Sequence, residues 1–195
     1  MRRLEPKPLR VRLRGCSLIM REATVADAVL IVSLRCDPQL SKFIHPTPPS
    51  VAVQEHWLVE YASRPDDYYF ICEDAGEKPW GTIRVASVHG RAFELGSLVF
   101  FPDAPVGASV QAIFLAHRFG FERLGCELAT FDVRRGNEHV WRFHEAYGAR
   151  RIREDAENFY YSLDKMAFSR AWSRYDSIVA CPGPSNWIEE VHRAE

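Results

Sequence analysis

The feature that most constrains the fold of this 195-residue chain is a strand-like segment that leads directly into a helix near the middle of the sequence. Residues 91–101 are rich in aromatic and β-branched side chains, which is typical of a β-strand, and prolines end the segment. Apolar residues then recur at helical spacing from 109 to 124. A second strand-like segment, 127–133, and a helix from 137 to 147 follow. This order favours a fold in which strands and helices alternate.

Further strands and helices flank this central unit. A strand at 18–21 precedes two helices, which the proline-rich stretch 43–50 separates. The second helix leads to an antiparallel meander of three strands, and the segments 150–153 and 159–163 predict a final hairpin. The order as a whole predicts a mixed α/β domain. The remaining segments are helices at 24–35 and 53–62 and strands at 68–73 and 81–88.

Charge and hydropathy exclude two classes of partner. The chain has 25 Lys and Arg against 26 Asp and Glu, and its formal net charge of -1 lacks the basic excess that nucleic-acid binding uses. Its longest apolar runs are far shorter than the ~20 residues of a membrane-spanning helix. We therefore expect neither a nucleic acid nor a membrane as partner, and the sequence leaves a homodimer open.

The cysteines and the two ends of the chain complete the organisation. Five cysteines lie far apart, without the close pairs of zinc and redox sites, so we expect no metal and predict a reduced, cytoplasmic protein. The arginine-rich residues 1–16 are predicted to form a basic arm. Residues 17–168 are predicted to form the domain, and residues 169–195 a helical tail.

Several short motifs stand in a fixed order along the chain. They are Met20-Arg21-Glu22-Ala23-Thr24, Leu34-Arg35-Cys36-Asp37-Pro38, Gly81-Thr82-Ile83-Arg84, Glu94-Leu95-Gly96, Phe121-Glu122-Arg123-Leu124-Gly125 and Asp132-Val133-Arg134-Arg135-Gly136-Asn137. The last motif ends a strand and precedes a helix that stops at Gly148, which is the most specific element of the set. In this order the motifs resemble the GNAT acyltransferase superfamily, and within it the RimJ/RimL-type and PseH-type acetyltransferases.

The resemblance implies the GNAT-like acyl-CoA N-acyltransferase fold, in which the fourth and fifth strands splay apart. Acetyl-CoA, the co-substrate, would lie in that split, with its pyrophosphate at the N terminus of the following helix. A helix N terminus favours a phosphate because its first N–H groups are free and its dipole end is positive. The residues that would contact it are Val106, Gly107, Ala108, Ser109 and Val110. The chain departs from the family pattern at Ala104 and Pro105, which replace a basic residue and a glycine.

Acetyl transfer to an amine requires a base, a polarised thioester carbonyl and a proton for the leaving thiolate. Glu94 is the candidate base, and the alternatives are a solvated strand residue or a carboxylate that binds the ammonium of the substrate. Backbone N–H groups of Leu98 and Val99 would polarise the carbonyl if a bulge turns a donor into the split. His144 stands where many GNAT enzymes have a tyrosine that protonates the thiolate. Asn137, on the same helical stripe, is predicted either to contact acetyl-CoA or to cap the helix.

The acceptor is predicted to bind between the proline-rich loop and the second helix, with His45 and Trp57 as contacts. Trp57 and Tyr61 recur at helical spacing, so a position in the hydrophobic core is the alternative to an acceptor contact for both. Further candidate wall residues are Phe43, Ile44 and Pro46, and alternative proton donors are Tyr147, Tyr160 and Tyr161.

The sequence thus predicts an acetyl-CoA-dependent N-acetyltransferase acting on a small amine, an amino sugar or a protein N terminus. A non-catalytic acyl-CoA-binding regulatory domain is the alternative, because the phosphate-binding loop is degenerate and the usual tyrosine is absent.

Overall fold

The computed structural model describes residues 9–175 and 187–192, which form a nine-stranded mixed sheet with helices on both faces. The strands are β1 (Leu9–Arg14), β2 (Ile19–Glu22), β3 (Tyr68–Glu73), β4 (Pro79–His89), β5 (Ala92–Phe100), β6 (Leu128–Arg134), β7 (Arg150–Glu154), β8 (Asn158–Asp164) and β9 (Ile188–His192). The helices are α1 (Ala28–Cys36), α2 (Val51–Tyr61), α3 (Ala108–Arg118), α4 (Glu138–Tyr147) and α5 (Lys165–Arg174). The sheet order is β7-β8-β6-β5-β4-β3-β2-β1-β9. The mixed α/β fold expected from the sequence is confirmed.

Strands β5 and β6 form the parallel pair of the sheet, and the pairs on either side of them are antiparallel. A parallel pair needs a crossover, which α3 provides by packing across the sheet between the two strands. Helix α3 ends in a π-helical turn, Phe119–Arg123. The predicted meander corresponds to β3, β4 and β5, so the fourth and fifth strands of the prediction are β5 and β6 of the structure.

The larger core lies between α3 and the sheet. Helix α3 is buried along nearly its whole length, and its residues pack on aromatic side chains of the strands such as Phe70 and Phe93. Gly120, in the π-helical turn, allows this close approach, because a Cβ there would lie 2.3 Å from the Phe93 ring. A smaller core on the opposite face joins α1 and α2 to β3 through Ile31 and Leu58. The sheet is thus covered on both sides at β3, which contributes residues to both cores.

The two ends of the chain join the sheet. Within the predicted basic arm, residues 9–14 form β1, which pairs with β2 on one side and β9 on the other. The segment alternates apolar and basic residues, and its apolar members Val11 and Leu13 are buried, as the period of two in a strand requires. Within the predicted helical tail, α5 ends at Arg174 and β9 follows at residues 188–192. In the described part of the chain, every helix falls short of the length and apolar content that a bilayer-spanning segment needs.

Candidate functional site

A crevice opens between β5 and β6 where the two strands stop pairing. Three registers join them, from Ala92 with Leu128 to Glu94 with Thr130, and across the described residues the strands make no further pairs before they end. Strands that diverge leave backbone N–H and C=O groups facing the gap, and these groups can bind an extended ligand. The crevice is lined by β5, β6, α1, α4 and the segments that follow α1 and precede α4. The lining residues are Arg35, Phe43–His45, Leu95–Leu98, Phe131–Arg134, Asn137, Val140 and His144.

A β-bulge distorts β5 beside the crevice. Gly96 pairs with Arg84 and Val99 pairs with Thr82, so β5 advances by three residues while β4 advances by two. Ser97 has a φ of 51°, in the left-handed region that few residues other than glycine adopt. The Thr82 hydroxyl donates to the Ser97 carbonyl at 2.9 Å and holds this conformation. The structure therefore has the bulge on which the predicted carbonyl contact depends.

Three residues predicted for the site lie on β5, and the structure brings one of them into the crevice lining. Leu98 lines the crevice, whereas Val99 has returned to the ladder with β4 and its side chain is buried. Glu94 is exposed and lies two residues before Gly96, which lines the crevice. Its neighbour Leu95 also lines the crevice, so Glu94 stands at the edge of the lining rather than within it.

The N terminus of α3 carries N–H groups with no acceptor. Gly107 precedes the helix with a φ of 84°, and its carbonyl accepts the Gln111 amide at 2.9 Å. The amides of Ser109 and Val110 have no acceptor among the residues that the structure describes. Free amides at the positive end of a helix suit a phosphate group, so these residues fit the pyrophosphate of acetyl-CoA.

The other predicted residues of this loop offer no free N–H donor or positive charge to a phosphate, except for the exposed backbone at Val106. The Ala108 amide donates to the Pro105 carbonyl at 3.0 Å, so this donor is already occupied. Val106 is fully exposed, Pro105 has no N–H, and Ala104 has no charge. The loop therefore offers the backbone amides of the helix start without a charged side chain beside them.

His144 lies on α4, lines the crevice and is 4% exposed. Its ring centroid is 4.4 Å from that of Phe131, and its Nδ1 has no hydrogen-bond partner within the described ranges. Burial and, to a smaller extent, the neighbouring His117 together lower the pKa of His144 to about 3. His144 is therefore uncharged at neutral pH, and its imidazolium form is scarce.

The tyrosines proposed as alternative proton donors are engaged elsewhere. The Tyr147 hydroxyl is 3.0 Å from Nδ1 of His117, a fully buried histidine whose pKa burial lowers to about 4. The Tyr160 and Tyr161 hydroxyls donate to carboxylates at 2.7 and 3.0 Å. Among the described residues, the crevice lining includes no tyrosine, so His144 is the predicted acid that reaches it.

Asn137 and His45 lie at the mouth of the crevice. Asn137 directly precedes α4, and its side chain makes no capping hydrogen bond with that helix, which is described in full. Its amide group is therefore available to a ligand. The Nε2 atom of His45 is 3.4 Å from the Asp132 carboxylate, and both residues line the crevice. His45, predicted as an acceptor contact, thus shares one cavity with His144.

A second cavity of about 290 Å³ adjoins the first, and Arg35 and Ser97 line both. Trp57 lines the second cavity, with its ring stacked on Tyr61 at a centroid distance of 5.4 Å. Tyr61 is 1% exposed, and its hydroxyl donates to the Glu22 carboxylate at 3.1 Å. The core alternative is therefore correct for Tyr61, whereas Trp57 lies at the edge of the cavity.

The sequence analysis assigned no role to several residues that line the two cavities. Arg35 belongs to a motif that carried the family resemblance, and that motif gave no sign that its side chain lines both cavities. Arg84, Gln54 and Tyr69 line the second cavity from two strands and a helix. Only contacts between distant segments bring these residues together, and the spacing of residues along the chain does not report such contacts.

Comparisons with known proteins agree with this architecture. A family model described as an acetyltransferase (GNAT) domain matches residues 17–150. The chain is similar to the structure of apo FdhC, described as a nucleotide-linked sugar GNAT, with 29% identity, a TM-score of 0.79, and coverage of 86% of this chain and 98% of that one. No curated protein matches the chain by sequence.

Two more distant structures share the fold. A putative acetyltransferase from T. thermophilus has 23% identity and a TM-score of 0.68, over 89% of this chain and 97% of that one. A mutant of the spermidine N-acetyltransferase SpeG from Vibrio cholerae has 14% identity and a TM-score of 0.67, over 78% and 96%. At these identities the likeness concerns the fold alone.

Proposed function

The chain belongs to the GNAT acetyltransferase family, and from this premise we propose that it transfers an acetyl group from acetyl-CoA to the primary amine of a small molecule. One observation carries the proposal: the crevice between β5 and β6 is open, and β5 leads along the chain to a helix start with two unbonded amides. An acyl carrier with an extended amide-bearing arm and a pyrophosphate fits both features. Acetyl-CoA supplies the thioester, and the roles below belong to side chains and amides of this chain.

The bulged segment of β5 is proposed to hold the thioester carbonyl. An N–H group at Leu98 that faces the crevice would stabilise negative charge on the carbonyl oxygen, which is the usual source of a large rate effect in acyl transfer. Asn137 is proposed to bind the amide-bearing arm of acetyl-CoA. Much of the acceleration would come from holding amine and thioester together, since oriented pairs reach effective molarities of ~10⁵ M or more.

Proton transfer is proposed to involve Glu94 and His144. Glu94 would accept the proton of the ammonium substrate through water, because its carboxylate stands outside the lining. His144 would hydrogen-bond the departing thiolate sulfur through a neutral N–H rather than protonate it as an imidazolium, since its pKa of about 3 keeps it uncharged. The proton that the attacking amine releases would pass to the thiolate through water. Losing either residue would then slow the reaction without abolishing it.

For the acceptor we propose a nucleotide-linked amino sugar, as in the PseH-like branch, with Trp57 and His45 as contacts. The likeness to the nucleotide-linked sugar GNAT at 29% identity supports this choice. The second cavity also supports it, because about 290 Å³ is near the lower end of the ~300–1,000 Å³ of small-molecule sites. A protein N terminus, as in RimJ/RimL-like enzymes, is the competing acceptor and would need an open groove.

A thiol-release assay with acetyl-CoA tests the proposal on amino sugars, their nucleotide-linked forms, polyamines and peptides with free N termini. We expect release with the nucleotide-linked amino sugar and little with peptides. Ser109→Pro removes one unbonded amide and should weaken acetyl-CoA binding about tenfold, since a hydrogen bond to a charged group is worth about 1.5–3 kcal/mol. Ala108→Pro, which removes an amide already bonded to Pro105, is the matched control.

A non-catalytic acyl-CoA-binding domain is the second candidate. The absence of charge at Ala104 and the buried, neutral state of His144 favour it. Binding of acetyl-CoA in calorimetry with no thiol release on any acceptor would establish this candidate and exclude the enzyme. Absence of acetyl-CoA binding would exclude both.

A further inference from the structure

The second cavity has an unusual charge pattern for a site that receives an amine. Two guanidinium groups, those of Arg35 and Arg84, line it, and within the described residues its lining contains no carboxylate. Its other polar groups include the side chains of Thr47 and Gln54 and the Tyr69 hydroxyl. An ammonium group entering this cavity alone would meet positive charge and no compensating negative charge.

The charge of Arg84 is balanced inside the protein. Its Nε donates to one oxygen of the Asp67 carboxylate at 2.7 Å, and its Nη2 makes a second hydrogen bond to the other oxygen. Asp67 is 5% exposed, so this bidentate pair is shielded from solvent. Arg84 therefore adds little net charge to the cavity.

Arg35, in contrast, has no carboxylate partner anywhere in the described ranges. Its Nε donates to the Thr47 hydroxyl at 2.6 Å and its Nη2 to the His45 carbonyl at 3.1 Å, and both acceptors are neutral. These contacts fix the plane of the guanidinium and use two of its five N–H groups. The positive charge of Arg35 also opposes the rise that burial causes in the pKa of Tyr69, which indicates that the guanidinium lies near that hydroxyl. An oriented cation with free donors thus faces the cavity.

Arg35 also lies at the junction of the two cavities, because it lines the crevice as well as the second cavity. We infer that Arg35 binds an oxyanion of the amine acceptor, a phosphate or a carboxylate, and thereby determines which amines the protein accepts. The inference rests on the proposed acetyl transfer and adds the chemical class of the acceptor. An amine that carries its own anion close to the nitrogen balances the charge of Arg35, whereas a polyamine adds to it.

Direct binding tests the inference without turnover. Calorimetry with the full-length protein compares glucosamine 1-phosphate, glucosamine, β-alanine and spermidine. We expect glucosamine 1-phosphate or β-alanine to bind at least tenfold more tightly than glucosamine and spermidine. Competition by inorganic phosphate or by acetate then identifies which oxyanion the site takes. Equal affinity for glucosamine and its phosphate together with no effect of either anion, or tighter binding of spermidine, would overturn the inference.

Variants locate the anion site. Arg35→Gln should weaken binding of the preferred anionic acceptor about 10- to 100-fold, the range of a charge-assisted hydrogen bond, and leave acetyl-CoA affinity within about twofold. Arg64→Gln is the control for a nearby arginine outside the lining, since the Arg64 guanidinium lies 5.2 Å from the Trp57 ring centroid but the side chain does not line the cavity. Unlike Arg35, it pairs with carboxylates, those of Glu60 at 3.5 Å and Asp67 at 3.7 Å. Equal losses of affinity in the two variants would show that binding responds to the total positive charge near the cavity. That result would contradict a specific contact between Arg35 and the acceptor.

Two further results keep the inference separate from the proposed function. Arg35→Lys keeps the positive charge but places its N–H donors on a single nitrogen, so it should retain part of the preference for anionic acceptors. Full loss in Arg35→Lys as well as in Arg35→Gln would assign the effect to the loop at Thr47. Anion-selective binding without thiol release would disprove acetyl transfer but leave the role of Arg35 standing. Thiol release with spermidine as the best acceptor would confirm acetyl transfer and disprove the role of Arg35.

Discussion

Mild acid is expected to destabilise this protein through two histidines in its core. His117 and His144 are 0% and 4% exposed, and burial lowers their pKa values to about 4 and about 3. In the unfolded chain a histidine has its ordinary pKa of about 6.5. Below that pH the unfolded chain binds two protons that the folded chain excludes, so acid favours unfolding. Above pH ~6.5 the two histidines therefore do not lower the free energy of unfolding. As the pH falls from there towards their folded pKa values, the free energy of unfolding decreases.

The size of the effect follows from these pKa values. One pKa unit corresponds to about 1.4 kcal/mol, and pH 5 lies about 1.5 units below the unfolded pKa. Each histidine then lowers the free energy of unfolding by about 2 kcal/mol, and the pair by about 4 kcal/mol, between about pH 7.5 and pH 5. This loss is a large fraction of the about 5–15 kcal/mol that stabilises a typical domain. Carboxylates contribute mainly below this window, since their ordinary pKa values are about 4.

Urea unfolding followed by circular dichroism at a series of pH values measures the loss. His144→Phe removes one of the two titrating groups and suits a site already surrounded by aromatic rings such as Phe131 and Phe143. Its free energy of unfolding should fall by about 2 kcal/mol less than that of the wild type over the same pH range. Tyr147→Phe is the control, because it removes a group that contacts His117 but does not titrate in this range.

A different result would refute the reasoning. If His144→Phe loses stability with pH as steeply as the wild type, His144 is protonated in the folded protein and its burial is not as described. The proposed role of a neutral N–H donor would then fall with it. A reduced slope in Tyr147→Phe would instead show that the slope reports general loosening of this core rather than histidine titration.

Three further predictions concern turnover and packing. His144→Phe should lower the turnover number while leaving acetyl-CoA affinity nearly intact, and unchanged turnover would remove His144 from the mechanism. Glu94→Gln should slow thiol release most at low pH, because the amine deprotonates itself as the pH rises, and a pH-independent defect would exclude a base role. Gly120→Ala should lower the free energy of unfolding by about 1–3 kcal/mol through overlap with Phe93, whereas Gly96→Ala, with no atom within 4 Å of the added Cβ, should change it by less than about 0.5 kcal/mol. Chemical denaturation compares the two glycine variants.

The order of elements could be predicted from the sequence because each element depends on residues that are neighbours along the chain. Apolar residues at helical or alternating spacing bury one face of an element, and prolines and glycines end it, so α3, α4 and the meander were predicted with small errors at their ends. The residues of strand β1 were predicted to belong to a basic arm, because arginines make up half of the strand. Their alternation with apolar residues, which is typical of a strand, is visible in the sequence. Its pairing with β9 joins the two ends of the chain, and no local pattern indicates that contact.

The chain itself therefore determined the fold class, the strand-to-helix junction before α3 and the family, since each is carried by local patterns and short motifs. The tertiary structure alone decided what the site residues can do. The bulge at Ser97 depends on a hydrogen bond from Thr82, and the neutral state of His144 depends on the aromatic rings packed around it. Likewise, Arg35 lines the second cavity because the loop that follows α1 folds back and binds its guanidinium through Thr47. Strain, pKa and ligand access all arise from contacts between distant segments, and such contacts form only when the whole chain packs.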